Sequence, residues 1–192
     1  MKALKISLGI ILSLVVVIVV GYAYYGGFSS INFQVMEQGG EKLVYKDVVG
    51  NYEQCADLIR KMTYSLENND NVKVIRSFGI YYDDPLKVKV NKLRSQVGCV
   101  LENSDTSKIF WLKGKYNIMT FPMKKYVTTV FPYKGDISIM ISLQRVKPAL
   151  DKYLKANGYG TNAAIMEIYD LPQQQINYRV EIVEKKNNNQ PL

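Results

Sequence analysis

The sequence contains no histidine, only two cysteines and one tryptophan in 192 residues. Without histidine the chain lacks the commonest general base and the commonest metal ligand at neutral pH. A histidine triad and a His-ligated zinc site are therefore excluded. Cys55 and Cys99 are too few for a structural zinc site, and their spacing leaves a disulfide undecided. Cysteine is among the most buried residue types, so two unpaired, buried thiols are expected. The sequence also lacks a basic helix, a zinc-finger pattern and an arginine-rich arm. Its lysines, among them Lys87, Lys89, Lys92, Lys113, Lys115, Lys124 and Lys125, are scattered. The net charge of +8 therefore reads as a solvated basic surface suited to anionic headgroups, and nucleic acid is not expected as a partner. No cofactor is expected.

What is present begins with a long apolar run. Lys2 and Lys5 precede residues 6–28, which carry no charge, and the next charged residue is Glu37. About 20 helical residues span about 30 Å, the thickness of the hydrocarbon core, so residues 1–28 are long enough for a transmembrane anchor. Tyr22, Tyr24 and Tyr25 follow the most apolar part, as an interfacial aromatic belt would. The rival reading is a cleaved signal peptide, with Gly21-Tyr22-Ala23 supplying small residues for cleavage. The anchor is favoured because the apolar core is long for a signal peptide. Positive charge before the helix and none after it until Lys42 places the N-terminus in the cytoplasm and the domain outside. In a bacterium this is the inner membrane, with the domain facing the periplasm. Residues 29–41 read as a linker, 42–184 as the domain and 185–192 as a polar tail. Hydrophobic residues at 47% and charged residues at 22% argue for a folded domain.

The soluble part reads as one β-α-β-β unit used twice. In the first half, KLVYKDVVGNY is a strand ending at Gly50. Asn51 is positioned to cap a helix with apolar positions at Leu58, Ile59, Met62 and Leu66. VIRSFGIYYDDP and LRSQVGCVL are the next two strands. In the second half, KKYVTTVFPYKGDI is a strand ending at Gly135. Asp136 is positioned to cap a helix with apolar positions at Ile137, Met140, Ile141, Leu150 and Leu154, which Asn157-Gly158 stops. NAAIMEIYDLP and INYRVEIV complete it. The spacing from Gly50 to Pro85 nearly matches that from Gly135 to Pro172. The expected class is α+β: an antiparallel sheet with two helices, preceded by one transmembrane helix. Between the halves a short helix and an extra strand over residues 116–121 are expected. Pro148 predicts either a kink or a helix start near Val146.

GIYYDDP with LRSQVG, then VFPYKGDIS, then MEIYDLP, together resemble the GyrI-like small-molecule-binding domain over residues 42–183. The resemblance implies a duplicated unit with a ligand cleft between its halves, the effector module of AraC-type and multidrug-responsive regulators. RSFGIYYDDPLKV, TTVFPYKGDIS and RVKPALDKYLK further resemble testis-expressed, membrane-anchored proteins of the endoplasmic reticulum that carry such a domain. In those proteins a long acidic tail confers an autophagy-receptor role. The sequence ends on VEKKNNNQPL, so that role is not expected here, and no DNA-binding domain accompanies the chain to support a regulator. The resemblance also implies that the glutamate of the E-I-Y motif, Glu167, faces the cleft. An aromatic common in the family stands as Ile137 here.

Glu167 lies in the apolar strand AAIMEIY, where an unpaired carboxylate is costly and must be paired, protonated or hydrated. The functional reading makes it the counter-charge of a cationic ligand; the bland one pairs it with a surface lysine. Tyr169 shares its strand face by the two-residue period. Tyr81, Tyr82, Tyr133 and Phe131 fall at strand ends or turns, and Trp111 is the lone tryptophan. Aromatics can stack on a ligand or face a cation, though each also serves as ordinary core. Glu167, Tyr169, Tyr82, Tyr133, Phe131 and Trp111 form the candidate ligand site. The expected function is binding of a small hydrophobic or cationic molecule at the membrane's outer face. The alternatives are a hydrolase with Glu167 as acid/base, or an interaction domain with no ligand pocket.

Overall fold

An apolar run with no polar face satisfies its backbone best as a helix, and the chain opens with one, α1 (Lys2–Tyr24). The computed structural model describes residues 2–183, and the tail expected at 185–192 lies outside the described residues. Between Ser7 and Tyr24 no residue of α1 is buried, and the helix is long and apolar enough to cross a membrane.

The remaining elements in chain order are β1 (Gln34–Gln38), β2 (Lys42–Val49), α2 (Gln54–Asn69), β3 (Arg76–Tyr81), β4 (Arg94–Leu101), α3 (Ile109–Leu112), β5 (Asn117–Thr120), β6 (Lys124–Pro132), α4 (Asp136–Ala156), β7 (Ile165–Asp170) and β8 (Gln175–Glu181). The strands form a single antiparallel sheet in the order β1-β6-β8-β7-β3-β4-β2-β5. The pair β3–β7 is at its centre. On one side lie β4, β2 and β5; on the other lie β8, β6 and β1. The expected short helix and extra strand are α3 and β5. β1 falls within the stretch expected as a linker. Its alternation is too short to stand out in the sequence, but it pairs with β6 from Gln34↔Thr128 to Gln38↔Lys124.

The two-residue period of the strands sorts side chains between two faces. On one face, α2 and α4 cover Val44, Val48, Val97, Ile176, Tyr178 and Val180. On the other, Phe78, Ile80, Met166 and Ile168 pack with Leu43, Val100, Phe121 and Tyr126. Among the described residues no helix covers this second face. Two connections, residues 39–41 and 121–123, run beside each other instead: Gly40 N–H donates to the Phe121 carbonyl and Phe121 N–H to the Glu41 carbonyl, both at 2.8 Å. An ion pair joins this crossing to β8, with Arg179 Nη2 at 2.7 Å from Glu41 Oε1.

Both helices depart in detail from expectation. α2 starts after Glu53, one turn beyond Asn51, whose Oδ1 instead accepts the Glu53 N–H at 3.1 Å. Asp136 is the first residue of α4 rather than its cap. α4 runs through Pro148 without interruption, so the later start near Val146 is not adopted. Proline removes only the bond to the Gln144 carbonyl, and both residues are on the solvent side. Gly158, at φ 74°, ends α4 as expected. Of the apolar positions expected on α4, Ile141, Leu150 and Leu154 are buried, whereas Ile137 and Met140 are exposed. Cys55 and Cys99 are both free and buried.

Removing one member of a largely buried ion pair strands the other charge. Arg179→Ala should lower the unfolding free energy by about 3 kcal/mol, and exchanging Arg179 and Glu41 together for methionine should cost less. Urea denaturation of the full chain in micelles measures both.

Candidate functional site

Between α2 and α4, above the centre of the sheet, lies a cavity of about 920 Å³, a size suited to a small ligand. It stands where the no-pocket alternative expects packed side chains. The sheet contributes its floor. Ile165, Glu167 and Tyr169 face the helices, while Met166 and Ile168 face the opposite core. Glu167 is opposite Gly79 on β3 and Tyr178 on β8, so the carboxyl lies at the middle of an eight-stranded sheet.

Gly79 has a physical reason to lack a side chain. A Cβ there would lie 2.7 Å from the Tyr81 hydroxyl and 2.8 Å from its ring, closer than carbon atoms approach. Tyr81 thus folds back over its own strand, beside Glu167. The Tyr52 ring meets that of Tyr81 edge-on, with centroids 4.9 Å apart. On the other wall the Tyr133 and Tyr169 rings lie 5.8 Å apart. The Tyr178 hydroxyl donates to Ser142 Oγ at 2.7 Å. Ser142 and Ser138 are small residues on the sheet side of α4, and both are fully buried.

Glu167 is only 4% exposed. Its hydrogen-bond donor is the Tyr169 hydroxyl, 2.7 Å from Oε2. Burial disfavours the charged form and pushes its pKa up to about 7, against the pull of the Tyr169 hydrogen bond. Among the described residues no lysine or arginine contributes to that shift. Burial also raises the Tyr169, Tyr81 and Tyr178 hydroxyls, and the neighbouring Glu167 charge adds to each. These groups therefore stay neutral donors, and Glu167 is the group at the floor that changes charge near neutrality.

Four of the six residues singled out from the sequence line the cavity: Glu167, Tyr169, Tyr133 and Tyr82. Tyr82 reaches only the rim, and its hydroxyl is engaged by Gln96 Oε1 at 2.7 Å. Phe131 is not in the lining; it is a core residue, 1% exposed, packed with Ile141, Val146 and Ile176. Trp111 is on α3 away from the cavity, with the Lys115 ammonium 3.8 Å from its ring centroid. Tyr178 and Cys55 belong to the lining and were missed. The alternation of INYRVEIV held the signal for Tyr178, because it is the direct cross-strand neighbour of Glu167.

Asp83 and Asp84 form a turn at the rim and not a catalytic pair. Arg94 donates to both Asp83 oxygens through its side chain, at 2.8 and 3.0 Å, which holds that carboxyl below the usual range. Asp84 Oδ1 caps the Leu86 N–H at 3.0 Å. The Tyr52 hydroxyl accepts the Asp83 N–H at 3.1 Å, tying this loop to the approach to α2.

A family model for the GyrI-like small molecule binding domain matches residues 32–183. Testis-expressed protein 264 homolog of Mus musculus is 34% identical over 119 residues, 59% of this chain and 37% of that protein. Testis-expressed protein 264 of Homo sapiens is 36% identical over 87 residues, 42% of this chain and 28% of that protein. The matched stretches thus span well under half of these relatives. Among solved structures, EcmrR in its complex with DNA aligns over 94% of this chain and 69% of that chain, with a TM-score of 0.58 at 16% identity. SAV2435 bound to tetraphenylphosphonium aligns over 82% of this chain and 98% of that chain, with a TM-score of 0.55 at 10% identity. At these identities the structural likeness is one of fold.

Raising a carboxyl's native pKa makes stability fall as pH rises. In the unfolded chain the carboxyl ionises near 4.5, as a free glutamate does, and in the native chain near 7. Between these values only the native state holds the proton, so the favourable contribution is complete below the lower value and lost by the upper. Glu167→Gln lacks this dependence. From about pH 4 to about pH 8 its stability relative to the parent should rise by on the order of 3 kcal/mol, measured by urea denaturation at each pH.

Proposed function

Because this chain belongs to the GyrI-like small molecule binding domain family, we propose that its cavity binds a hydrophobic cation, with Glu167 as counter-charge. One observation carries this reading: a carboxyl with no cationic partner among the described residues, buried at the floor of a cavity walled by tyrosines. Apolar surface burial supplies affinity, and the ring faces of Tyr81, Tyr133 and Tyr169 suit a delocalised positive charge. The tetraphenylphosphonium carried by SAV2435, a protein of the same fold, supports this ligand class.

The two β-α-β-β runs are read as copies of one unit, supported by the sheet order on either side of β3–β7 and by Gly79 lying opposite Glu167. α1 is read as an uncleaved anchor with its N-terminus cytoplasmic and the domain across the bilayer. Its exposed apolar surface, the lysines before it and the tyrosines at its end support this. The domain is read as starting with β1, inside the sheet, rather than at residue 42.

A ligand that pairs with ionised Glu167 competes with a proton. Tetraphenylphosphonium affinity should rise by up to about tenfold per pH unit as the carboxyl ionises and level off above about 7. A neutral aromatic of similar size should show no such dependence, and Glu167→Gln should abolish it. Equilibrium dialysis of the full chain in nanodiscs, with empty nanodiscs subtracted, reads these affinities. Equal, pH-independent binding of both compounds would falsify the counter-charge role.

A further inference from the structure

Exposure to water does not distinguish the two thiols of this chain: Cys55 is 1% and Cys99 0% exposed. Their surroundings do. Cys99 lies outside the cavity lining, in the core under α2, with its Sγ 3.4 Å from Thr63 Oγ1. Cys55 lines the cavity from the first turn of α2, and its Sγ is 3.4 Å from Ser95 Oγ on β4. A reagent in bulk water is kept from both thiols, whereas a molecule already in the cavity adjoins Cys55.

Strand register brings this thiol towards Glu167. Cys55 packs on Val97 and beside Tyr81. Val97 pairs with Gly79, and Gly79 with Glu167, in one row across β4, β3 and β7. Two strand spacings make that row about 10 Å long at the backbone, and its middle member has no side chain. The Tyr81 hydroxyl stands there instead, where a Gly79 Cβ would lie 2.7 Å from it. Burial raises the Cys55 thiol and the Tyr81 hydroxyl, and the Glu167 charge raises both further. Glu167 itself is 4% exposed; Tyr169 occupies its Oε2, and Oε1 has no hydrogen-bond partner among the described residues. The charged side chains that α2 and α4 bring to the lining are the exposed Arg60 and Asp136, and Lys147, which Asp84 and Asp151 hold. A thiol, a free acceptor oxygen and a neutral hydroxyl donor thus share one floor, the set that activates a sulfur nucleophile.

We propose that Cys55 is a nucleophile towards hydrophobic α,β-unsaturated ketones held in the cavity, with Glu167 as the base that takes the thiol proton. The S–C bond forms at the β-carbon while the proton passes to Glu167 Oε1. The alkene electron pair moves onto the carbonyl oxygen, which accepts a hydrogen bond from the Tyr81 hydroxyl. Glu167 then returns the proton to the α-carbon. The product is a saturated ketone joined to Sγ as a thioether, with no external oxidant or reductant. This rests on the cavity as a ligand site but not on the charge of the ligand.

The test incubates the full chain in nanodiscs with benzylideneacetone and times the modification of each cysteine by peptide mass spectrometry. Cys55 should react many-fold faster than Cys99, and benzylacetone, the saturated analogue, should slow it by competition. In the parent the rate should rise as Glu167 ionises and level off above about 7. In Glu167→Gln it should fall by on the order of a hundredfold at neutral pH and keep climbing towards the higher pH at which the thiol itself ionises. Reaction of Cys55 no faster than that of Cys99 overturns the proposal. So does a fast reaction of Cys55 in the parent that shows no plateau, because the thiolate then forms without the base. If tetraphenylphosphonium binds in dialysis while Cys55 stays unreactive, the cation reading stands and this inference falls. If benzylacetone protects Cys55 and the cation does not, this inference stands and the cation reading falls.

Discussion

The pairing of β3 with β7 is the constraint on which the site depends. It joins the two halves into one sheet and sets Gly79 opposite Glu167. The missing side chain on β3 gives Tyr81 its place, and the glutamate on β7 takes the floor of the space this leaves. The position lies near the middle of the eight-stranded sheet, and among the described residues the carboxyl, only 4% exposed, has no ion-pair partner. Its compensation from the protein is the Tyr169 hydroxyl, which is too little to hold the ordinary acidity of a glutamate against burial.

The two faces of the sheet divide stability and function. The face away from the helices is filled by large side chains, Phe78, Leu43, Met166 and Ile168, and closed by the crossing connections pinned through Glu41 and Arg179. The helical face is packed towards its outer parts, where Leu66 and Leu112 serve one half and Leu150 and Leu154 the other. Over the centre, Cys55 on α2 and Ser142 on α4 are small residues in the cavity lining and leave space between the two helices. The cavity is a consequence of that choice of side chains, and the opposite core makes it tolerable for the fold.

Much of this was legible in the sequence, for physical reasons. Strand alternation and the glycine-bounded helices located β2, α2, β3, β4, β6, α4, β7 and β8, and a lone acid in AAIMEIY marked Glu167. Position along a strand says which face a residue takes but not what covers that face. Phe131 was therefore grouped with the site although α1's exit and α4 bury it, and Trp111 although its helix lies over another part of the sheet. β1 escaped notice because five residues of weak alternation gain their stability from pairing with β6 rather than from local preference. Ile137 and Met140 fit the helical period as core residues, yet both are exposed, and Met140 borders the cavity.

In the function proposed above, Glu167 is a proton-holding counter-charge in a ligand cavity. The most direct measurement is a carbon-13 NMR titration of its side-chain carboxyl, with Glu167→Gln identifying the resonance, in the free protein and with saturating tetraphenylphosphonium. The midpoint should lie near 7 in the free protein and move to lower pH when the cation is bound. A midpoint in the ordinary carboxylate range, unmoved by the cation, would contradict it.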